Sequence, residues 1–544
     1  MSAAQQRLAS KKLSAMCRMR GLELRPDATA PLCDLVNSGG DWQNTLQELL
    51  AQLEKGGKGS RYVDAAAIST ALSTINSRGG GGAPALEVLD LFEMRAVEYH
   101  PERQEFISRP ERASLCANAE ARYTMLALRL ALVEQRVRRH ELFKSVALSH
   151  SVANQGMHLQ LTSINALLGR KGMHVVLGVL TEVEGGRFIL EDAYSYIELE
   201  GVREAERHAG FFASSTIVLV EGEITETGTL FVKVLGLPPP ELRSVSMASI
   251  GTCDPFGQYE TGKTGITGSK TAQVSQTALE QSMLIVLSDL WLDRPSTLKQ
   301  LEELLSGYEM VGNETVGSAR KAQPAATFFT FVLCGNFSSP AKARGTMTRS
   351  ETAAQFETLA QLLAKFPTLA YNANFVLVPG PDDPSLGAAD VLPRAPVPKL
   401  FTNAIAKVVR NLHSTSSPAR LKFCGQEVVI LREELLAQMR RCTVLEPNYE
   451  VYPELANHLV ETLLCQAHVY PLPVTEAAVY WRVDPALWLH PAPDVLVVAE
   501  RSSQFLIPFN GTLAFNPGSF AGESNWMVYR PLERKAEPSS LNEE

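Results

Sequence analysis

The spacing of apolar residues changes character along the chain, and each change predicts a different kind of element. Over residues 1–76 apolar side chains recur at helical spacing between breaks at Pro26, Gly39, Gly40, Gly56 and Gly57, which predicts a small N-terminal helical domain. Four consecutive glycines, Gly79 to Gly82, follow; with no side chain to bury and high backbone entropy, they mark 77–110 as a linker. Leu, Met and Val positions interleaved with Arg and Glu over 112–143 then predict a long amphipathic helix within a connecting segment at 111–150.

After Leu161 the period becomes two. Runs at 173–181, 187–190, 194–199, 216–222 and 229–235 are rich in strand residues and are separated by turn signals such as Gly185-Gly186 and Thr227-Gly228. Such short strands within 155–240 predict a small β-barrel of the OB type. Pro238, Pro239 and Pro240 end it, and the Ser-, Thr- and Gly-rich stretch at 241–280 reads as a connecting segment. From Ser282 onward, apolar runs at 284–287, 328–333 and 375–378 alternate with helical patterns at 297–305 and 351–365. That alternation predicts a layered α/β domain over 281–535, with final strands at 494–499 and 511–515 and a charged, frayed tail after Arg534. The expected class is therefore a multidomain α+β protein.

Composition narrows the function classes. With 45% apolar and 20% charged residues the chain is ordinary for a globular protein, and no run approaches the roughly 18–20 apolar residues of a membrane span. Residues 1–20 are polar and basic without the apolar segment of a secretory signal, so an intracellular protein is expected. Eight scattered cysteines without a Cys-x-x-Cys pair argue against a zinc ribbon. A formal charge of −8 argues against a protein coated in phosphate contacts. The barrel aromatics Phe188, Tyr194, Tyr196 and Phe231 could stack bases, but Glu191, Asp192, Glu198 and Glu200 lie close by, which favours packing or protein docking. The run from Gly257 through Gly262-Lys263-Thr264 matches a phosphate-loop expression; no strand pattern precedes it and Gly265 and Gly268 follow, so the match reads as accidental.

The apolar runs of the α/β region end in polar turns: Ser288-Asp289-Leu290-Trp291, Gly335-Asn336-Phe337-Ser338-Ser339 and Gly380-Pro381-Asp382-Asp383. Strand carboxyl ends are where open α/β sheets keep their sites. These turns resemble the motifs of the calcineurin-like phosphoesterases: Asp-x-His, Gly-Asp-x-x-Asp, Gly-Asn-His-Asp/Glu, a lone His, and Gly-His-x-His, which together hold two metals that make and clamp a hydroxide nucleophile. By that resemblance Asp289 persists, Trp291 stands at the first histidine, Asn336 replaces the bridging aspartate and Ser339 the acid after it. Pro381 and Asp382 replace the next asparagine and histidine, leaving Asp383; His468 matches the lone histidine, and Glu500 and Ser502 stand in the last motif. A neutral amide cannot bridge two cations. The resemblance thus implies an inactive domain with no catalytic residue, metal or cofactor, in which Asp289 is a strand-end cap and His468 a satisfied core histidine.

A barrel followed by a ligand-stripped phosphoesterase domain resembles the B-subunits of the eukaryotic replicative DNA polymerases, with the epsilon branch closest. The likeness is carried by Arg18-Met-Arg20-Gly21-Leu22, Arg138-Arg-His-Glu-Leu-Phe143, Val176-Leu-Gly-Val-Leu-Thr181, Ser288-Asp-Leu-Trp-Leu-Asp293, Gln426-Glu-Val-Val-Ile-Leu-Arg-Glu433 and Asn516-Pro-Gly-Ser-Phe520, and it spans nearly the whole chain. It implies a nuclear accessory subunit without catalysis of its own. The barrel and phosphoesterase-like domain would bind the C-terminal zinc-bearing region of the catalytic subunit of DNA polymerase epsilon. The N-terminal domain would face the replicative helicase assembly, small histone-fold subunits would share the holoenzyme, and DNA contact would be weak or indirect. Two alternatives stand beside it: an active metal-dependent 3′–5′ exonuclease of the archaeal replicase small-subunit type, and a single-strand-binding module acting through the barrel.

Overall fold

The computed structural model describes residues 85–541 apart from 95–96, 109–112, 144–158, 168, 252, 254–275, 317–322, 344–347, 386–389 and 477, together with two short strands nearer the N-terminus. The chain divides into two compact units, Met1–Pro84 with Ile266–Gln276, and Ala85–Gly265 with Thr277–Glu544. In the first, Glu23–Leu24 pairs in parallel with Tyr62–Val63. The helical domain expected at 1–76 otherwise lies outside the described residues, as do the glycines at 79–82 and the phosphate-loop-like run.

The second unit opens with a strand, Leu86–Leu89 (β1), where a linker is expected. The linker expectation for 77–110 is corrected from residue 85 onward: Leu89 and Leu91 are buried, and a hairpin of Val97–His100 with Glu105–Ser108 follows. The long helix Ala119–Arg139 (α1) starts at Asn118, whose side chain accepts from the amide of Ala121, and ends in Arg136, Arg138 and Arg139, where cations suit the helix dipole.

The barrel strands are Met173–Val183 (β2), Arg187–Glu191 (β3), Tyr196–Glu200 (β4), Ile217–Ile224 (β5) and Leu230–Gly236 (β6). Hydrogen bonding runs β5-β2-β3-β4-β6, and β6 returns to β5, so the sheet closes with β4 and β6 parallel in the manner of an OB barrel. Inward positions such as Val176, Leu180, Leu190, Leu199, Val218 and Leu230 form its core. Helix α1 lays Leu130, Val133 and Val137 against Leu177 and Ile217 of the barrel, while Leu132 reaches Phe106 and Trp488. The 241–280 segment carries a helix at Arg243–Ile250.

Two six-stranded sheets make up the α/β region. The first contains Met283–Leu287 (β7), Phe329–Cys334 (β8), Asn374–Val378 (β9) and Asn411–Ser414 (β10), the second Ala419–Phe423 (β11), Gln426–Arg432 (β12), Val495–Ala499 (β13), Phe505–Phe509 (β14) and Thr512–Asn516 (β15). Asn525–Arg530 (β16) and Lys535–Ser540 (β17) complete the first, in the order β10-β9-β8-β7-β16-β17; the second runs β14-β15-β13-β12-β11-β1. Strands β7 to β10 are mutually parallel, so their carboxyl ends lie together, and β12 and β13 are parallel in the other sheet. Alternate residues of the first sheet, including Ile285, Phe331 and Phe375, pack against Leu301, Phe356 and Phe401 of covering helices. The tail expected to fray after Arg534 is β17, held antiparallel to β16 over six residues with Ala536 buried.

Helix α2, Leu455–Cys465, joins the second sheet to the barrel. Its inner face gives Leu459 and Leu463 to the core, while His458, Thr462 and the capping Gln466, four residues apart and so on one stripe, face the barrel backbone. Gly210 N donates to His458 Nδ1 at 2.9 Å and Phe211 N to Thr462 Oγ1 at 2.8 Å. Gln466 takes both groups of Ile217, accepting from its N–H at 2.9 Å and donating to its carbonyl at 2.7 Å.

Candidate functional site

The carboxyl ends of β7, β8, β9, β12 and β13 converge on one charged centre. Asp289 lies two residues beyond β7 with φ 57°, and Arg432 is the last residue of β12; both are wholly buried. Arg432 Nη2 donates to Asp289 Oδ1 at 2.7 Å, Nη1 donates to Glu434 Oε1 at 2.9 Å and to the carbonyl of Ala499 at 3.2 Å, and Nε donates to the carbonyl of Gly335. One guanidinium therefore ties the strand ends of both sheets. Arg501, beyond β13, donates from Nε to the other oxygen of Asp289 at 3.0 Å. Burial pushes the Asp289 carboxyl up, but Arg432 and Arg501 more than reverse this and hold it below the usual carboxylate range. Burial likewise opposes the charge on Arg432, and Asp289 and Glu434 overcome it.

Around this pair the other strand-end residues satisfy one another. Asn336 Nδ2 donates to Asp382 Oδ2 at 2.9 Å while the amide of Asp382 donates to Asn336 Oδ1 at 3.0 Å, so both ends of the carboxamide are engaged. Asp383 accepts from the amides of Phe337 at 2.7 Å and Gly380 at 2.8 Å; burial pushes its carboxyl up to about 6, against the pull of those two amides. The turns fit only because Gly335 and Gly380 lack side chains: a Cβ on Gly335 would stand 1.8 Å from Asp383 Oδ2, and one on Gly380 2.2 Å from Asn336 Oδ1. Pro381 sits between these groups with no amide to donate. Ser339 turns away to Asp293, donating from N and Oγ at 2.7 Å each. Trp291 stacks under Arg294 at 4.3 Å and lies 5.7 Å from the Arg501 guanidinium. Glu500 accepts from the Leu436 amide at 2.9 Å and from Ser502 Oγ at 2.6 Å, and burial pushes its carboxyl up.

His468 does not join this group. Its Nε2 meets Asp484 Oδ1 at 3.2 Å and its Nδ1 accepts from the Tyr470 amide at 2.9 Å; Asp484 in turn is gripped by Arg129 of α1 and by Trp488 Nε1 at 3.1 Å. Burial, then Arg129, pushes the His468 imidazole down to about 4, as a neutral core histidine requires. Among the described residues no hydrogen bond or ion pair links it to Asp289. The residue that fills the centre is Arg432, which stands at none of the phosphoesterase motif positions; its signal is a charged pair, Arg432-Glu433, at the end of the apolar run Val428-Val429-Ile430-Leu431. In the barrel, Phe188 is core at 4% exposure, whereas Tyr194 and Tyr196 stand out at 88% and 72%.

The donor set does not suit the two divalent cations that phosphoesterase chemistry needs. Asp289 already has a guanidinium on each oxygen, and a carboxamide stands where a shared carboxylate would be required. Among the described residues no group of three or more His, Cys, Asp and Glu side chains could hold a metal.

Residues 284–506 match the family model for the B-subunit of DNA polymerases alpha and epsilon, and 119–239 match that of the OB-fold domain of DNA polymerase epsilon subunit 2-like proteins. Barrel and α/β region together thus have the make-up of a replicative polymerase B-subunit. The DNA polymerase epsilon B-subunit of Arabidopsis thaliana is 31% identical over 98% of both chains, and DNA polymerase epsilon subunit 2 of Homo sapiens is 30% identical over 99% of both. The chain belongs to the family of DNA polymerase epsilon B-subunits. A solved archaeal phosphodiesterase covers 48% of this chain at 11% identity with a TM-score of 0.25, a likeness that carries no argument.

Proposed function

We propose that the chain is a non-catalytic accessory subunit of the DNA polymerase epsilon holoenzyme, acting in nuclear DNA replication. Two supports are independent: relatives of that name match along nearly their whole length, and the strand-end centre is filled by the Asp289–Arg432 pair. The second carries the claim of no catalysis. Asp289, Trp291, Asn336, Ser339, Pro381, Asp382, Asp383, Glu500 and Ser502 are then remnants of a phosphoesterase-like site, kept as structural groups of the 281–535 domain.

The barrel and the phosphoesterase-like domain would dock the C-terminal zinc-bearing region of the catalytic subunit. The 1–76 domain would reach toward the replicative helicase assembly, and histone-fold subunits would complete the particle. A module tethered through the glycine run would raise local concentration without fixing geometry, which would suit a link between two moving machines. Affinity capture of the tagged chain from nuclear extract tests the reading: a large polymerase chain should co-purify in stoichiometric amount. The rival exonuclease reading requires Mn²⁺-dependent digestion of a labelled 3′ end by the purified chain, abolished by Asp289→Ala; no such digestion is expected.

A further inference from the structure

The guanidinium of Arg432 gathers four oxygens round one buried position. They are Asp289 Oδ1 at 2.7 Å, Glu434 Oε1 at 2.9 Å, the Ala499 carbonyl at 3.2 Å and the Gly335 carbonyl, drawn from strand ends of both sheets. Two carboxylates and two backbone carbonyls are the kind of oxygen donors that Ca²⁺, Mg²⁺ and Mn²⁺ take. A guanidinium answers the same negative field with N–H donors instead of a bare ion. We infer that Arg432 is a built-in counter-cation that closes a latent divalent-cation site. The inference rests on the non-catalytic reading above and gives it a cause: the centre is shut by a side chain, and the shutting also clamps the two sheets.

Without the Arg432 side chain, Asp289 would remain wholly buried with Arg501 as its single cationic partner, and Arg501 is already shared, its Nε lying 3.6 Å from Glu434 Oε1. An underpaired buried carboxylate is costly, and a divalent ion entering the vacated space would relieve it. Arg501, from beyond β13, takes the other oxygen of Asp289, whereas the Gly335 and Ala499 carbonyls are bonded by Arg432.

The test uses the full chain as wild type, as Arg432→Ala and as Arg432→Ala with Asp289→Asn, each melted with and without millimolar MnCl₂. Free Mn²⁺ is counted in parallel by paramagnetic resonance. The melting temperature of the wild type should not move with Mn²⁺, that of Arg432→Ala should rise by roughly 2–4 °C, and the rise should vanish in the double variant. Uptake should be about one ion per Arg432→Ala chain. Should Arg432→Ala fail to fold in metal-free buffer, recovery of folded protein with Mn²⁺ supports the inference and failure of recovery overturns it. Mn²⁺ uptake by the wild type that Asp289→Asn removes, or a folded Arg432→Ala chain indifferent to Mn²⁺, would also overturn it. Either negative result leaves co-purification with the polymerase untouched, so the two readings fail separately.

Discussion

At the scale of single residues, the centre works as an electrostatic joint whose strength comes from burial. Asp289 and Arg432 have no solvent to fall back on, so removing one charge leaves the other underpaired, with only Glu434 beside Arg432 or only Arg501 beside Asp289. Asp289→Asn is expected to lower stability by about 3–5 kcal/mol in urea unfolding, against under about 1 kcal/mol for the exposed pair Arg187–Glu198. The neighbouring carboxyl behaves oppositely. Asp383, raised to about 6, keeps in the folded state a proton that the unfolded chain releases near 4, so its contribution favours folding at low pH and is lost as pH rises through 6. Asp289, lowered, contributes above the unfolded carboxylate range and loses that contribution as pH falls through its folded value. Comparing wild type with Asp383→Asn by chemical denaturation should give a stability difference that changes by roughly 2–3 kcal/mol between pH 4 and pH 7, shifting in favour of the variant as pH rises. The placing of Trp291, Asn336 and Pro381 just beyond strand ends was legible in the sequence, because each follows a short apolar run that reads as a buried strand. Arg432 was not, because a side chain that fills a site from the opposite sheet leaves no spacing signature at the position it replaces.

At the scale of elements, local pattern and long-range pairing separate cleanly. The five barrel strands were legible to within about two residues, since alternation of apolar and polar positions is a property of each segment alone. Strands β1 and β17 were not: β1 pairs with β11, more than 300 residues away, so nothing local marks Leu86–Leu89 as more than linker. The stripe on α2 was equally hidden, because His458, Thr462 and Gln466 read as polar helix positions until the barrel backbone is set against them. Gln466→Ala would leave both the N–H and the carbonyl of Ile217 buried without a partner, at a cost of about 1–3 kcal/mol. Hydrogen exchange should then speed at the Ile217 amide and along β5 more than in β7 or β8. Equal protection in variant and wild type would mean that the stripe does not hold the barrel.

At the scale of the whole molecule, a closed barrel is fastened to an α/β region by α1 on one side and α2 on another, and an ion pair fills the strand ends of the α/β region. Relatives in the polymerase epsilon B-subunit family match the chain along nearly their whole length, and the proposed accessory role would act through the outer surface of this barrel and α/β region. Among the described residues no helix is long and apolar enough to cross a membrane. The most direct measurement is the molar mass, by light scattering after gel filtration, of this chain co-expressed with the catalytic subunit of DNA polymerase epsilon. The account predicts a single peak at the summed mass of one copy of each, retained when Asp382→Ala alters the strand-end turn. Separate elution of the two chains at equal concentration would contradict it.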